Sequence, residues 1–251
     1  MKRFLISVVV SVALGVFVLP VVVSTQAKAA SKPRVAAMEK LGKTMWWVEL
    51  KMEGQSPMPD VLAFGKGMFD SYSCHAYGFG RAEYMAAEEG KAVTFTATTK
   101  SRRSGAMEWK GKVEGGAISG TMTWQQASGA PKEITFSGMR HKPEGALDAS
   151  KWKAELMTEG QKPMPDTLAF GRGMFDSKAC HKYGFGWGPY NAKKEGENTS
   201  FTAFTVSATD GMMMWMGEVK GEAVSGTMTW YPTQGEAKKF TFSGAKEKPR
   251  R

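Results

Sequence analysis

Residues 105–125 read GAMEWKGKVEGGAISGTMTWQ, and their spacing decides the architecture. Met107, Trp109, Gly111 and Val113 alternate with Glu108, Lys110, Lys112 and Glu114, which gives an extended segment one apolar and one charged face. After the turn signal Glu114-Gly115-Gly116 the pattern repeats, with Ile118, Gly120, Met122 and Trp124 set against Ser119, Thr121, Thr123 and Gln125. The same period of two runs through Val93, Phe95 and Ala97 upstream and through Ile134 and Phe136 downstream. Weaker strands at 45–53, 61–71 and 76–86 bring the expectation to about seven strands in this stretch, with no helical spacing.

Working outward, the whole stretch recurs. An offset of 106 residues aligns Trp46 with Trp152, Cys74 with Cys180, Trp109 with Trp215 and Trp124 with Trp230 without a gap, and more than half of the positions from 46 to 143 are identical in the second copy. A unit of about 100 residues is domain-sized, larger than a solenoid repeat. The sequence therefore predicts an all-β protein of two tandem homologous antiparallel modules, each a β-barrel or β-sandwich, with module one at 43–143, a linker at 144–150 and module two at 151–251. Residues 30–42 read as a flexible polar lead-in. In their even strand spacing and one-sided apolarity the modules are similar to lipocalin-type ligand barrels, a likeness of fold that implies a small apolar ligand only if the interiors are hollow.

Residues 1–29 read as an export signal: Lys2 and Arg3, an apolar run from Phe4 to Val23, and the small-x-small pattern Ala27-Lys28-Ala29. This predicts a periplasmic or secreted protein that touches a membrane only through an uncleaved signal. The 251 residues carry 34 basic and 24 acidic side chains, and removing Lys2, Arg3 and Lys28 leaves 31 against 24, or +7. That charge is spread evenly, with 13 basic and 10 acidic residues in 42–143 and 15 and 12 in 146–251. No basic stripe interleaved with aromatics suggests a nucleic-acid partner.

Site chemistry centres on Gln55–Gly80, of which 20 of 26 positions recur at 161–186. Each copy holds one Cys-His pair, Cys74-His75 and Cys180-His181. In an exported chain the two cysteines suggest a bridge between modules, closing a loop of about 105 residues and worth about 4–5 kcal/mol by chain entropy; buried free thiols or intermolecular pairing are the alternatives. Ser71-Tyr72-Ser73-Cys74-His75 and Ser177-Lys178-Ala179-Cys180-His181 look like haem-attachment motifs whose first cysteine has become serine, and the two pairs together offer four metal ligands. Adjacent residues on a strand face opposite ways, so neither pair suits one ion or a nucleophile and base. Asp60, Asp70, Asp166 and Asp176 read as turn carboxylates. No catalytic constellation and no cofactor are indicated.

Comparing the copies singles out a surface. Phe204 and Val206 stand where module one has outward Thr98 and Lys100, Met214 and Met216 where it has Glu108 and Lys110, and Tyr231 where it has Gln125. These five give module two an apolar exterior, a patch expected to be covered by module one, by the lead-in or by another molecule. The functional expectation is an exported, non-catalytic binder of a small apolar ligand or an envelope partner. An enclosed apolar space of roughly 300 Å³ or more per module favours the ligand, and filled interiors favour a structural or interaction module.

Overall fold

A computed structural model describes residues 31–143 and 145–248, and the proposed export signal lies outside them. The chain forms two closed antiparallel barrels of eight strands, each wound in simple up-and-down order. Helix α1 (Ser31–Leu41) leads into barrel one: β1 (Thr44–Lys51), β2 (Met58–Gly65), β3 (Met68–Ser71), a 3-10 turn (Ser73–Tyr77), β4 (Ala82–Glu89), β5 (Ala92–Ser101), β6 (Gly105–Glu114), β7 (Ala117–Gln125) and β8 (Lys132–Arg140). Barrel two repeats it as β9 (Ser150–Met157), β10 (Met164–Gly171), β11 (Met174–Ser177), a 3-10 turn (Lys178–Tyr183), β12 (Gly188–Glu195), β13 (Asn198–Ser207), β14 (Gly211–Lys220), β15 (Ala223–Tyr231) and β16 (Lys238–Lys246).

Each barrel has eight strands, in line with the expectation of about seven, and the extra one has a local cause. The run at 61–71 folds back on itself at Lys66 and Gly67, both in the left-handed region (φ 51° and 75°), so it forms two paired strands. The first part of the run at 76–86 is not extended, because the 3-10 turn continues to Tyr77 and ends on Gly78 at φ 77°. The lead-in is helical rather than loose. Among the helix residues whose burial is described, Ala37 and Leu41, one turn apart, are the fully buried ones, a thin stripe for helical periodicity. The helix packs against the barrel, with the Tyr84 hydroxyl donating to the Met38 carbonyl (3.0 Å) and Lys40 pairing with Glu88 (2.8 Å). Barrel two fills the position of Leu41 with Leu147, held in a turn beneath Tyr190.

The interiors are packed with rings. In barrel one Phe64, Phe69, Phe95, Trp109 and Phe136 stack in tilted and edge-on contacts with centroids 4.9 to 6.3 Å apart. Phe170, Phe175, Phe201, Trp215 and Phe242 reproduce the set in barrel two at 5.0 to 6.3 Å. Gly111 and Gly217 make this possible, since a Cβ on either would collide with the Phe95 or Phe201 ring. Outward positions such as Lys100, Glu108 and Lys110 are charged and exposed. Apolar inside and charged outside is the reverse of the alternation in a lipid-embedded barrel. No described helix is long and apolar enough to cross a membrane.

Candidate functional site

The most duplicated block builds an internal clasp. Asp60 is fully buried; its Oδ1 accepts the backbone N–H groups of Val61 and Ser73 (both 2.7 Å) and its Oδ2 accepts the Ser71 hydroxyl (2.6 Å). Asp166 accepts from Thr167 N (2.6 Å), Ala179 N (2.8 Å) and the Ser177 hydroxyl (2.6 Å) in the same way. The two aspartates are thus not turn carboxylates; each ties β2 or β10 to the 3-10 turn beyond the next strand. Burial raises the Asp60 carboxyl to about 6, against the lowering effect of its three donors. Beside the clasp, Asp70 Oδ1 meets His75 Nε2 (2.7 Å) and Asp70 Oδ2 meets Arg81 Nε (3.0 Å); Asp176 and His181 repeat the first contact at 2.7 Å.

The Cys-His expectations need correction here. Cys74 and Cys180 are free thiols, each buried in the core of its own barrel, so they do not form the bridge considered between modules. Burial, followed by the charge of Asp60, pushes the Cys74 thiol far above its ordinary value, and burial raises Cys180 to about 12. Both are held in the thiol form by burial. The metal set Cys74, His75, Cys180 and His181 is not assembled: each Cys turns inward, each His turns to an aspartate, and the pairs belong to different barrels. Among the described residues no three His, Cys, Asp or Glu side chains converge as metal ligands.

The asymmetric features lie where the barrels meet. Phe204, wholly buried, packs with Met212, Val206, Met214 and Tyr231 of barrel two against Met45, Trp47, Val61, Ala63, Tyr72 and Ala76 of barrel one. The Trp47 and Phe204 rings sit 5.5 Å apart. Of the five residues singled out in the sequence, Met216 alone is exposed, at 48 %. Met212 belongs to the seam as well; it replaces Ala106, an exchange with no change of polarity to reveal it. Arg103 staples the edge, donating to the Ala76 carbonyl (2.7 Å) and across to the Thr233 carbonyl (3.0 Å). The Trp47 indole N–H donates to His141 Nδ1 (3.0 Å), and His141 lies against Gly173 of barrel two. An indole is a donor only, so this bond requires neutral imidazole. Burial holds the His141 pKa below its ordinary value, although the Gly173 backbone and Asp148 pull the other way.

Two cavities adjoin the seam, and neither is the barrel interior expected of a hollow ligand barrel. One, of about 980 Å³, opens at the end of barrel one where β1 begins and β8 ends. Its apolar wall is Met45, Ala63, Phe64, Met68, Tyr72 and Met139, and its cations are Lys43, Lys66, Arg81, Arg140 and Lys142. Among the described residues Asp70 is the one carboxylate on it, already paired with His75 and Arg81. The left-handed backbone at Lys43 and Lys66 recurs at Ala149 and Arg172, so it belongs to the fold. The chemistry does not recur: Met45, Tyr72, Arg81 and Met139 correspond to Lys151, Lys178, Trp187 and Ala245. The second cavity, about 840 Å³, runs between β1 and β8 of barrel one and β12–β15 of barrel two, with Met139 and Met216 exposed on its walls.

No family model matches the chain, and no curated protein matches it. A solved structure from Bacteroides fragilis NCTC 9343, provisionally designated an outer membrane protein, aligns with 83 % of this chain and 99 % of its own at 7 % identity and a TM-score of 0.27. Likeness at that level transfers neither function nor location.

Proposed function

We propose that the chain is an exported, non-catalytic binding protein of the cell envelope that holds an amphiphilic acid, an apolar chain ending in a carboxylate or phosphate, in the cleft of barrel one. One observation carries this reading: five cations surround an apolar wall on which, among the described residues, the single carboxylate is Asp70, paired with His75 and with Arg81 of the five. A cleft of this size suits a ligand of lipid or drug dimensions, and the aromatic interiors leave the barrel axis no such room. The test is titration of the mature chain with a fluorescent long-chain fatty acid and with the matching alcohol. The acid binds at least tenfold more tightly, and R140E/K142E removes that preference while leaving the fold intact by circular dichroism. Equal binding of acid and alcohol, or a preference that survives the charge reversal, overturns the assignment.

The filled barrels also favour a second reading, an interaction module. Here Met139 and Met216, exposed on either side of the inter-barrel groove, are the contact points for an envelope protein.

A further inference from the structure

The seam joins unlike faces. Barrel one contributes a front face made of β1, β2 and the 3-10 turn, and barrel two contributes a back face made of β13, β14 and β15. An interface of this kind is heterologous, and repeating it adds units head to tail, into a ring where the rotation closes and a filament where it does not. Both barrels have both faces, so the chain ends with one of each unused. Barrel two's front face carries Lys151, Lys153, Thr167, Lys178 and Lys182 where barrel one has Met45, Trp47, Val61, Tyr72 and Ala76. Barrel one's back face carries Thr98, Lys100, Ala106, Glu108 and Gln125 where barrel two has Phe204, Val206, Met212, Met214 and Tyr231. All four lysines are exposed, and Lys153 is committed to Thr167 Oγ1 (3.2 Å) and Glu247 (3.5 Å).

We infer that these two polar faces terminate the array: the seam is a transferable head-to-tail interface, and the lysines of barrel two with the polar set of barrel one stop a second copy of this chain from adding at either end. Docking the one unused face on the other would strip water from Lys151, Lys153, Lys178 and Lys182 of one copy and Lys100 of the next, with Glu108 the one carboxylate among the exchanged positions to meet them. This inference is independent of the ligand reading, since none of the ten exchanged positions lines the amphiphile cleft of barrel one.

The test is a reciprocal graft. One variant receives the front face (K151M, K153W, T167V, K178Y, K182A) and another the back face (T98F, K100V, A106M, E108M, Q125Y). Sedimentation velocity of each alone shows a monomer, because neither chain holds an unused apolar pair. An equimolar mixture forms a one-to-one dimer, and both grafts in one chain give head-to-tail oligomers, closed rings or growing chains. Leaving Lys153 unchanged in the front graft abolishes the dimer. Circular dichroism and thermal melts establish that each variant is folded; a folded pair that stays monomeric when mixed overturns the inference, as does concentration-dependent chain growth by the unaltered protein.

Discussion

The two barrels agree inside and disagree outside. Phe95 and Phe201, Gly111 and Gly217, Asp60 and Asp166 occupy matched surroundings, whereas Trp47 faces a partner barrel and its counterpart Lys153 faces water. Close packing leaves an interior position few acceptable residues. An outward position on a two-sided sheet answers only to whatever covers it. The exteriors of a duplicated chain are therefore freer to diverge, and four of the five outward places singled out as apolar in barrel two, all but Met216, are the ones that came to be covered. Here that rule places the seam on β13–β15 of one barrel and on β1, β2 and the following turn of the other.

The contrast is broken most sharply at Phe204 and Thr98, which share a position. Phe204→Ala costs about 3–5 kcal/mol, the usual range for a buried ring, while Thr98→Ala stays within about 0.5 kcal/mol, as exposed sites do. Urea unfolding of each variant measures this, and equal losses would mean that the seam contributes nothing to stability. The interior makes the opposite forecast. Gly111→Ala and Gly217→Ala each force a methyl against a phenylalanine ring, costing about 1–3 kcal/mol and costing both barrels alike. A large difference between these two would show that the barrels are not packed equivalently.

The sequence made the β-alternation, the duplication and four of barrel two's seam residues, Phe204, Val206, Met214 and Tyr231, legible, because each is a local or copy-to-copy signal. Trp109 and Gly111 lie on one face by spacing alone, and Phe204 stands out because its counterpart is threonine. What stayed hidden depends on partners distant in the chain. Asp60 sits beside Pro59 and reads as a turn residue, yet its donors Ser71 and Ser73 are 11 and 13 positions away. The described side chains of helix α1 bury only Ala37 and Leu41, too few to show a period. The cleft gathers Lys43, Lys66, Arg81 and Arg140 from four separate segments, so no window of sequence contains it.

Smaller effects separate the clasp from the seam by pH. The Asp60 carboxyl is raised from 3.8 to about 6, so folding takes up a proton between those values. Its stabilising contribution is complete below pH 3.8 and is lost as pH rises through about 6, a difference of about 2–3 kcal/mol. Asp60→Asn keeps an acceptor for the two backbone donors and does not titrate. The gap in stability between wild type and variant therefore changes from pH 4 to pH 7, and a gap independent of pH would show that Asp60 is not desolvated.

His141 runs the other way. Its pKa is lowered in the folded chain, so its contribution is complete above the ordinary value of 6.5 and is lost as pH falls through the lowered one. Protonation at Nδ1 removes the lone pair that accepts the Trp47 indole and places a cation in the seam beside Gly173, with Asp148 the carboxylate whose charge opposes the loss. That carboxylate is fully engaged. Burial alone would raise its pKa, but donors from Gly145, Gly173 and Tyr190 outweigh burial and hold it below its ordinary value. Asp148 therefore remains charged through the whole transition and weakens the His141 effect without inverting it. His141→Gln, which retains an acceptor for the indole and cannot be protonated, loses about 1 kcal/mol or less at pH 7. It also removes the part of the acid destabilisation that Trp47 fluorescence reports. As pH falls below the ordinary histidine value of 6.5 the seam loses stability, while as it falls through about 6 the clasp gains it, and a variant of one should leave the pH response of the other in place.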